Sequence, residues 1–342
     1  MVTSFATSFR IGGCTVGPEA PCLIIAEGGV SHFGDMALAR ELVDLAADAG
    51  ADAFKTQIFD VDRLIAHRAD EWRQRLRPRN LTFEQCEELQ ERCRSRGLLF
   101  LATAHDESRI DWLRRLDVPA VKIGSGERNN PLFIRALASL GKPVILSTGM
   151  YREDDVRQAL DACLQGGCRE VALLHCVTAY PSPDAELNLR AMDVLSRIAP
   201  VPVGWSDHTP DALAVYAAVA RGARLIEKHI TILRDVPNAQ DWKVSAGPDN
   251  FADLVASIRR IEAMMGRPVK EPAPCERGGE VWATKSLVAA RDLDAGRRLA
   301  NGDVVAKRPG DGIRPDRIAE VEGRTLRAPV AADAAIRLDD LM

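Results

Sequence analysis

The chain has 342 residues and a formal net charge of −4, with no concentrated basic stretch, so it lacks what a phosphate-backbone binder needs and excludes a general nucleic-acid scaffold. A local cationic pocket for a small anion remains compatible with that charge. The eight cysteines, at 14, 22, 86, 93, 163, 168, 176 and 275, form no close CxxC pair. That spacing reads as buried thiols in a reducing compartment, with Cys176 as a packing residue near a pocket. The opening MVTSFATSFRIGG has neither a basic start nor an apolar h-region, and no later apolar run reaches membrane-spanning length. The expectation is a soluble, cytoplasmic protein that binds neither membrane nor nucleic acid. A dinucleotide GxGxxG and a GxxxxGK[ST] phosphate loop are both missing, and GSGERNN at 124–130 offers only a glycine-rich turn before a helix.

What is present is a rhythm of short apolar runs followed by amphipathic helical stretches. After a glycine-turned ribbon at 6–20, expected to cap the bottom of a barrel, strands are predicted at 22–26, 53–59, 98–103, 118–123, 142–148, 170–177, 201–206 and 223–230. Eight strand–helix units are what a closed (β/α)8 TIM barrel requires; an open doubly wound sheet is the alternative. An arginine-rich insertion at 63–80 suits an active-site loop, a subunit contact or a solvated face. Residues 267–282 turn to proline, glycine and charge and read as a linker between a region at 1–266 and a β-rich domain at 283–342 with at most one short helix.

Polar residues fall immediately after the predicted strands, on the rim where a β/α barrel assembles its chemistry. Glu27, Lys55, Gln57, Thr103, Lys122, Ser125, Ser147, Thr148, His175, Thr178, Tyr180, Ser206, Asp207, His208, Glu227, Lys228 and His229 all stand there, although alternation along a strand prevents all of them from entering one pocket. His208 and His229 close two successive units. Such a pair can hold a divalent metal or can be two satisfied structural side chains. Lys55 and Lys122 among hydroxyls can hold a phosphate and a carboxylate; a buried lysine paired with glutamate, or the Schiff-base lysine of an aldolase, fits the same pattern. In SHFGD, Asp35 suits a helix N-cap and His32 could lean over the pocket.

Taken in order, IAEGGVSHFGD, ADAFKTQIF, KIGSGE, KPVILSTGM, LLHCVTAYPSP, VGWSDHT and IEKHIT, followed by KSLVAARDLDAG and VVAKRPGDGI, resemble the sialic acid synthase family over nearly the whole chain. The resemblance implies a TIM barrel with a C-terminal antifreeze-like (SAF) domain, and condensation of phosphoenolpyruvate with an N-acylmannosamine-like aldehyde. It implies that His208 and His229 bind metal, with Mn2+ expected and Mg2+ or Co2+ as alternatives. It further implies that Lys55, Thr103, Lys122, Ser125, Ser147, Thr178 and Ser206 contact phosphoenolpyruvate, and that Glu27, Gln57, Glu127 and Tyr180 occupy pocket positions. Glu27 and Glu127 are its candidate proton-transfer groups, Glu127 being placed to handle the aldehyde or the attacking water. Arg308 in KRPG corresponds to an arginine that reaches the other subunit's site and touches the N-acyl group, which implies a domain-swapped homodimer.

The sequence departs from the family pattern at Ser31, where asparagine is usual before the histidine, and in NAQDWKVS, which is one residue longer before the substrate-binding candidate Asp241 and carries Trp242 in place of histidine. Both changes bear on the acceptor more than on phosphoenolpyruvate. A diacetamido sugar, as in legionaminic or pseudaminic acid formation, a phosphorylated hexosamine leading to a 9-phosphate product, and a non-catalytic sugar-binding homologue are the alternative readings.

Overall fold

The computed structural model describes residues 5–237 and 239–342. The described chain separates into two compact units, one ending at Gly266 and the other spanning Arg267–Met342.

The first unit begins with a hairpin, β1 (Phe9–Ile11) and β2 (Cys14–Val16), and continues into a closed barrel. Its strands are β3 (Leu23–Gly29), β4 (Ala53–Ile58), β5 (Leu99–Ala104), β6 (Val121–Ile123), β7 (Val144–Ser147), β8 (Val171–Cys176), β9 (Val203–Asp207) and β10 (Leu225–His229). They are hydrogen-bonded in the order β10-β3-β4-β5-β6-β7-β8-β9, and every pairing is parallel. Closure leaves no sheet edge and rules out the open doubly wound alternative.

Helices surround the barrel because their sequences bury one stripe each. In Met36–Asp48 the buried positions are Ala39, Leu42, Val43 and Ala46, the i, i+3, i+4, i+7 set of a single face. Asp35 starts that helix by accepting a hydrogen bond from the Ala37 N–H, and Thr82 with Gln85 forms a capping box on Phe83–Ser95.

Alternation along the strands divides the molecule into two cores. Ile24 and Ala26 face outward into the layer shared with the helices, whereas Leu23 and Ile25 face inward. Inside, Ala53, Leu101, Ala120, Ile145, Ala172, Leu174 and Leu225 fill the lower barrel, and Phe9, Ile11 and Val16 of the hairpin join the same cluster and plug it from below. The inward series then changes chemistry toward the C-terminal ends of the strands. Leu23 and Ile25 give way to Glu27, Ala53 to Lys55 and Gln57, Leu101 to Thr103, Ala120 to Lys122, Ile145 to Ser147, and Leu225 to Glu227 and His229. Apolar layers below fix the positions of the polar layer above.

The arginine-rich insertion folds into two short helices, Val61–Leu64 and Asp70–Leu76. They close over a small apolar cluster of Val30, Phe59, Val61 and Ile65, and Arg73 is buried there in ion pairs with Asp62 and Asp70. The insertion also meets the loop after β3, where the Arg79 guanidinium lies 5.0 Å from the Phe33 ring.

The second unit carries a helix, Arg277–Ala283, within the stretch expected as a linker, and an antiparallel pair, β11 (Ser286–Ala289) and β12 (Val304–Lys307). Leu287, Leu293, Leu299, Val321, Leu326, Ile336 and Leu341 form its own core. No helix among the described residues is long and apolar enough to cross a membrane.

Candidate active site

A cavity of about 160 Å³ opens at the C-terminal ends of the barrel strands. Register brings its charged residues together: Glu27 of β3 pairs across the ladder with Lys55 of β4, Thr103 of β5 with Lys122 of β6, and Ser206 of β9 with Glu227 of β10. The Lys55 ammonium lies 2.7 Å from Glu27 and 3.6 Å from Glu227, and it donates to Thr103 Oγ1 at 3.0 Å. The Lys122 ammonium lies 3.7 Å from Glu227 and donates to Ser147 Oγ at 2.8 Å.

These four charged side chains are almost wholly enclosed, and burial alone would neutralise each of them. Mutual pairing decides the outcome. For Lys55, burial opposes the charge, but Glu227 and Glu27 outweigh it and raise its pKa. Burial likewise opposes the Glu227 carboxylate, yet Lys122 and Lys55 hold it down at about 2. At Glu27 burial wins, and its carboxyl sits above the usual glutamate range despite Lys55. Burial also leaves Lys122 more readily deprotonated than an ordinary lysine. Gln57 Nε2 donates to Glu27 Oε1 at 3.1 Å, and Ser206 Oγ donates to Glu227 Oε1 at 2.9 Å.

Beside Glu27 and Glu227, at the C-terminal ends of β9 and β10, the rings of His208 and His229 are 5.4 Å apart, and Tyr180 packs against both at 4.0 and 5.8 Å. His208 Nδ1 donates to the Val177 carbonyl at 2.6 Å, which leaves Nε2 as the nitrogen that can meet a ligand; burial opposes a charge on this ring, but Cys176 and Val177 outweigh it and raise its pKa. Nδ1 of His229 is buried without a hydrogen-bond partner, and burial lowers the pKa of this ring to about 4, so it is neutral near pH 7. A pair of imidazoles so placed fits a divalent cation, which binds the neutral form of each ring. Among the described residues no group of three His, Cys, Asp or Glu converges into a cage. His208 and His229 are the residues that would hold such an ion.

Ser125, Thr178 and Cys176 complete the cavity wall. Gly149 lets the wall close: its N–H donates to Ser125 Oγ at 2.9 Å, and a Cβ there would stand 2.3 Å from Thr178 Oγ1. The other rim residues turn outward. His175 hydrogen-bonds the Leu187 carbonyl and packs on Trp205, Thr148 donates to the Leu174 carbonyl, and Lys228 is buried in an ion pair with Asp207.

Three further candidates lie outside the lining of this cavity. Glu127 belongs to a second cavity, where it accepts a hydrogen bond from Asn130 and burial raises its pKa. Asp241 opens the 3-10 turn Asp241–Val244, from which its charge acts on His229. Arg308 belongs to the second unit, with its guanidinium 5.8 Å from the Trp282 ring. His32 is buried, with Nδ1 accepting from the Gly34 N–H at 3.0 Å, and it does not line the cavity either. One lining residue, His105, was absent from the sequence-derived set; it follows Thr103 by two positions, in step with the inward series of β5.

Comparison with known proteins fits this arrangement to a family. The NeuB family model matches residues 42–270, and a SAF domain model matches 284–342. The chain belongs to the NeuB family. Its relatives include the "Uncharacterized protein MJ1065" of Methanocaldococcus jannaschii, 38% identical over 97% of this chain and 98% of that protein. An N,N'-diacetyllegionaminic acid synthase of Legionella pneumophila is 36% identical, with 94% of each chain covered. Among solved structures, the N-acetylneuraminic acid (sialic acid) synthetase of Leptospira borgpetersenii, crystallised with citrate, aligns with a TM-score of 0.75 and 32% identity, covering 81% of this chain and 96% of that one.

Proposed function

We propose that this NeuB-family chain is a synthase that condenses phosphoenolpyruvate with the open-chain aldehyde of an N-acylated amino sugar, releasing phosphate and forming a nonulosonic acid. The observation that carries the reading is the enclosed pair Lys55 and Lys122, each bonded to a hydroxyl, sharing one small cavity with the two imidazoles. The acceptor we favour is a diacetamido sugar rather than an N-acylmannosamine. Support comes from the greater identity to the diacetyllegionaminic acid synthase than to the sialic acid synthetase.

In this reading Lys55 and Lys122 neutralise the phosphate and carboxylate of the enol phosphate. Thr103, Ser125, Ser147, Thr178 and Ser206 orient them through directed hydrogen bonds. His208 and His229 would hold a divalent cation, Mn2+ being the expected ion, and it would supply Lewis acidity for activating the aldehyde. Carbon 3 of the enol phosphate forms the new bond to the aldehyde carbon, and the aldehyde oxygen takes a proton. Glu27 is the donor, because its burial keeps a proton available and Gln57 holds its carboxyl in place. Water then adds at carbon 2, the bond from carbon 2 to the phosphate oxygen breaks, and a ketone remains. Tyr180 and Asp241 flank the acceptor end of the pocket, and Arg308 of a second copy reads the acyl group in a domain-swapped homodimer.

The direct test is phosphate release from phosphoenolpyruvate with Mn2+ and a panel of N-acetylmannosamine, its 6-phosphate and diacetamido hexoses, with product analysis. Turnover with the diacetamido sugars is expected. Turnover only with N-acetylmannosamine or its phosphate would replace the acceptor, and no release with any of them would sink the reading.

A further inference from the structure

Among the described residues, His105 is the one side chain that lines both the lysine cavity and a second, polar cavity of about 470 Å³ beside it. The second cavity is walled by Arg63, Asp106, Glu107, Glu127 and Asn130 with Phe133 beneath, a lining and size that hold water. The Asp106 carboxylate is already committed to the backbone N–H groups of Asp60 and Ser108. Glu127 is bonded to Asn130. Nε2 of His105, by contrast, is buried with no hydrogen-bond partner, an arrangement that a folded protein rarely keeps without use.

The ring packs edge-on against Phe59 at 6.5 Å, which holds it between the two cavities. We infer that His105 is the base that accepts a proton from the water adding to carbon 2, with the second cavity as the route by which that water arrives. This deepens the proposed condensation and rests on it.

The proton balance closes. One hydrogen of the water passes to Nε2 of His105 and on to solvent through the polar cavity, while its oxygen bonds to carbon 2. The second hydrogen leaves with phosphate as the bond from carbon 2 to oxygen breaks, and Glu27 reloads its proton from solvent. Burial, then Lys55 and Lys122, lower the His105 pKa to about 4, so the ring is neutral and has a lone pair before substrate arrives. Phosphoenolpyruvate brings negative charge against those same lysines and removes part of their effect, which strengthens the base at the step that needs it.

The experiment uses the full-length, Mn2+-loaded enzyme and the acceptor that wild type turns over best. His105→Phe is expected to lower kcat for phosphate release by about 100-fold with phosphoenolpyruvate affinity held within about threefold. Added imidazole is expected to restore about tenfold of the loss in His105→Ala, because the second cavity gives a small base access. An active wild type with His105→Phe turning over normally would overturn the role of His105 alone. Loss of affinity matching the loss of kcat, or no response of His105→Ala to imidazole, would do the same. A wild type inactive with every acceptor would instead overturn the condensation and this inference with it.

Discussion

Glu227 places its carboxylate 3.6 Å from the Lys55 ammonium inside a cavity that excludes most solvent. With Glu27 on the other side of Lys55 and Lys122 on the other side of Glu227, both lysines already have acidic partners before any ligand binds, and Glu227 is the one that both share. An arriving trianion must compete with the Glu227 carboxylate for the lysines. Glu227→Gln removes that competitor. It is expected to destabilise the ligand-free protein by on the order of 3 kcal/mol, since buried lysines lose a counter-charge. It is also expected to enlarge the rise in melting temperature that phosphoenolpyruvate produces. Thermal melts with and without phosphoenolpyruvate measure both, and an unchanged ligand response would refute the competition.

His32 sets an acid limit on stability. Burial, then Arg79, lower its folded pKa to about 4 from an ordinary 6.5. Between those values the unfolded chain binds a proton that the folded chain refuses, so stability contributed by the neutral ring is complete above pH 6.5 and is lost as pH falls toward 4. His105 and His229 shift the same way and steepen the loss. His32→Asn should therefore flatten the pH dependence of unfolding by about 1.4 kcal/mol per pH unit across that window. Denaturant titrations at half-unit steps would show it; a slope equal to wild type contradicts the assignment.

Much of the site was legible because it continues an apolar series. Leu23, Ile25 and Glu27 keep one parity, as do Ala53, Lys55 and Gln57, so a polar residue ending a strand must face the barrel axis. The same parity extends Leu101 and Thr103 to His105, a signal present in the sequence but one step beyond the predicted end of the strand. Parity also separates Ser206 from Asp207 and Glu227 from Lys228, whose ion pair lies outside the lysine cavity. Glu127 was not placeable in this way. It lies on the 3-10 turn Ser125–Asn129, where spacing from β6 no longer fixes direction. Asp241 follows an irregular loop with no period at all, and Arg308 lies in a different compact unit.

Removing either rim imidazole tests the metal reading. His208→Ala and His229→Ala each delete one of two nitrogens and leave the apolar layers beneath untouched, so both variants should fold. Mn2+ affinity is expected to fall by about 100-fold and metal-dependent phosphate release with it. Calorimetric Mn2+ titration of each variant reads the affinity independently of turnover. Wild-type affinity in both would remove the metal from this wall.

Arg308 tests whether the acceptor is read by the second unit. A guanidinium that meets an acyl group contributes to binding the sugar and leaves the enol phosphate alone, because the lysines, hydroxyls and carboxylates of the cavity proposed for phosphoenolpyruvate come from the barrel. Arg308→Ala is therefore expected to raise KM for the sugar about tenfold with KM for phosphoenolpyruvate unchanged, a split that only a residue touching one of the two substrates produces. If the arginine comes from a second copy, mixing Arg308→Ala with an inactive Lys122→Ala variant should form heterodimers. Each would hold one site with an intact barrel and an intact arginine, and activity would exceed that of either variant alone. No gain on mixing would place Arg308 in its own subunit's site, and equal effects on both substrates would remove it from acceptor recognition.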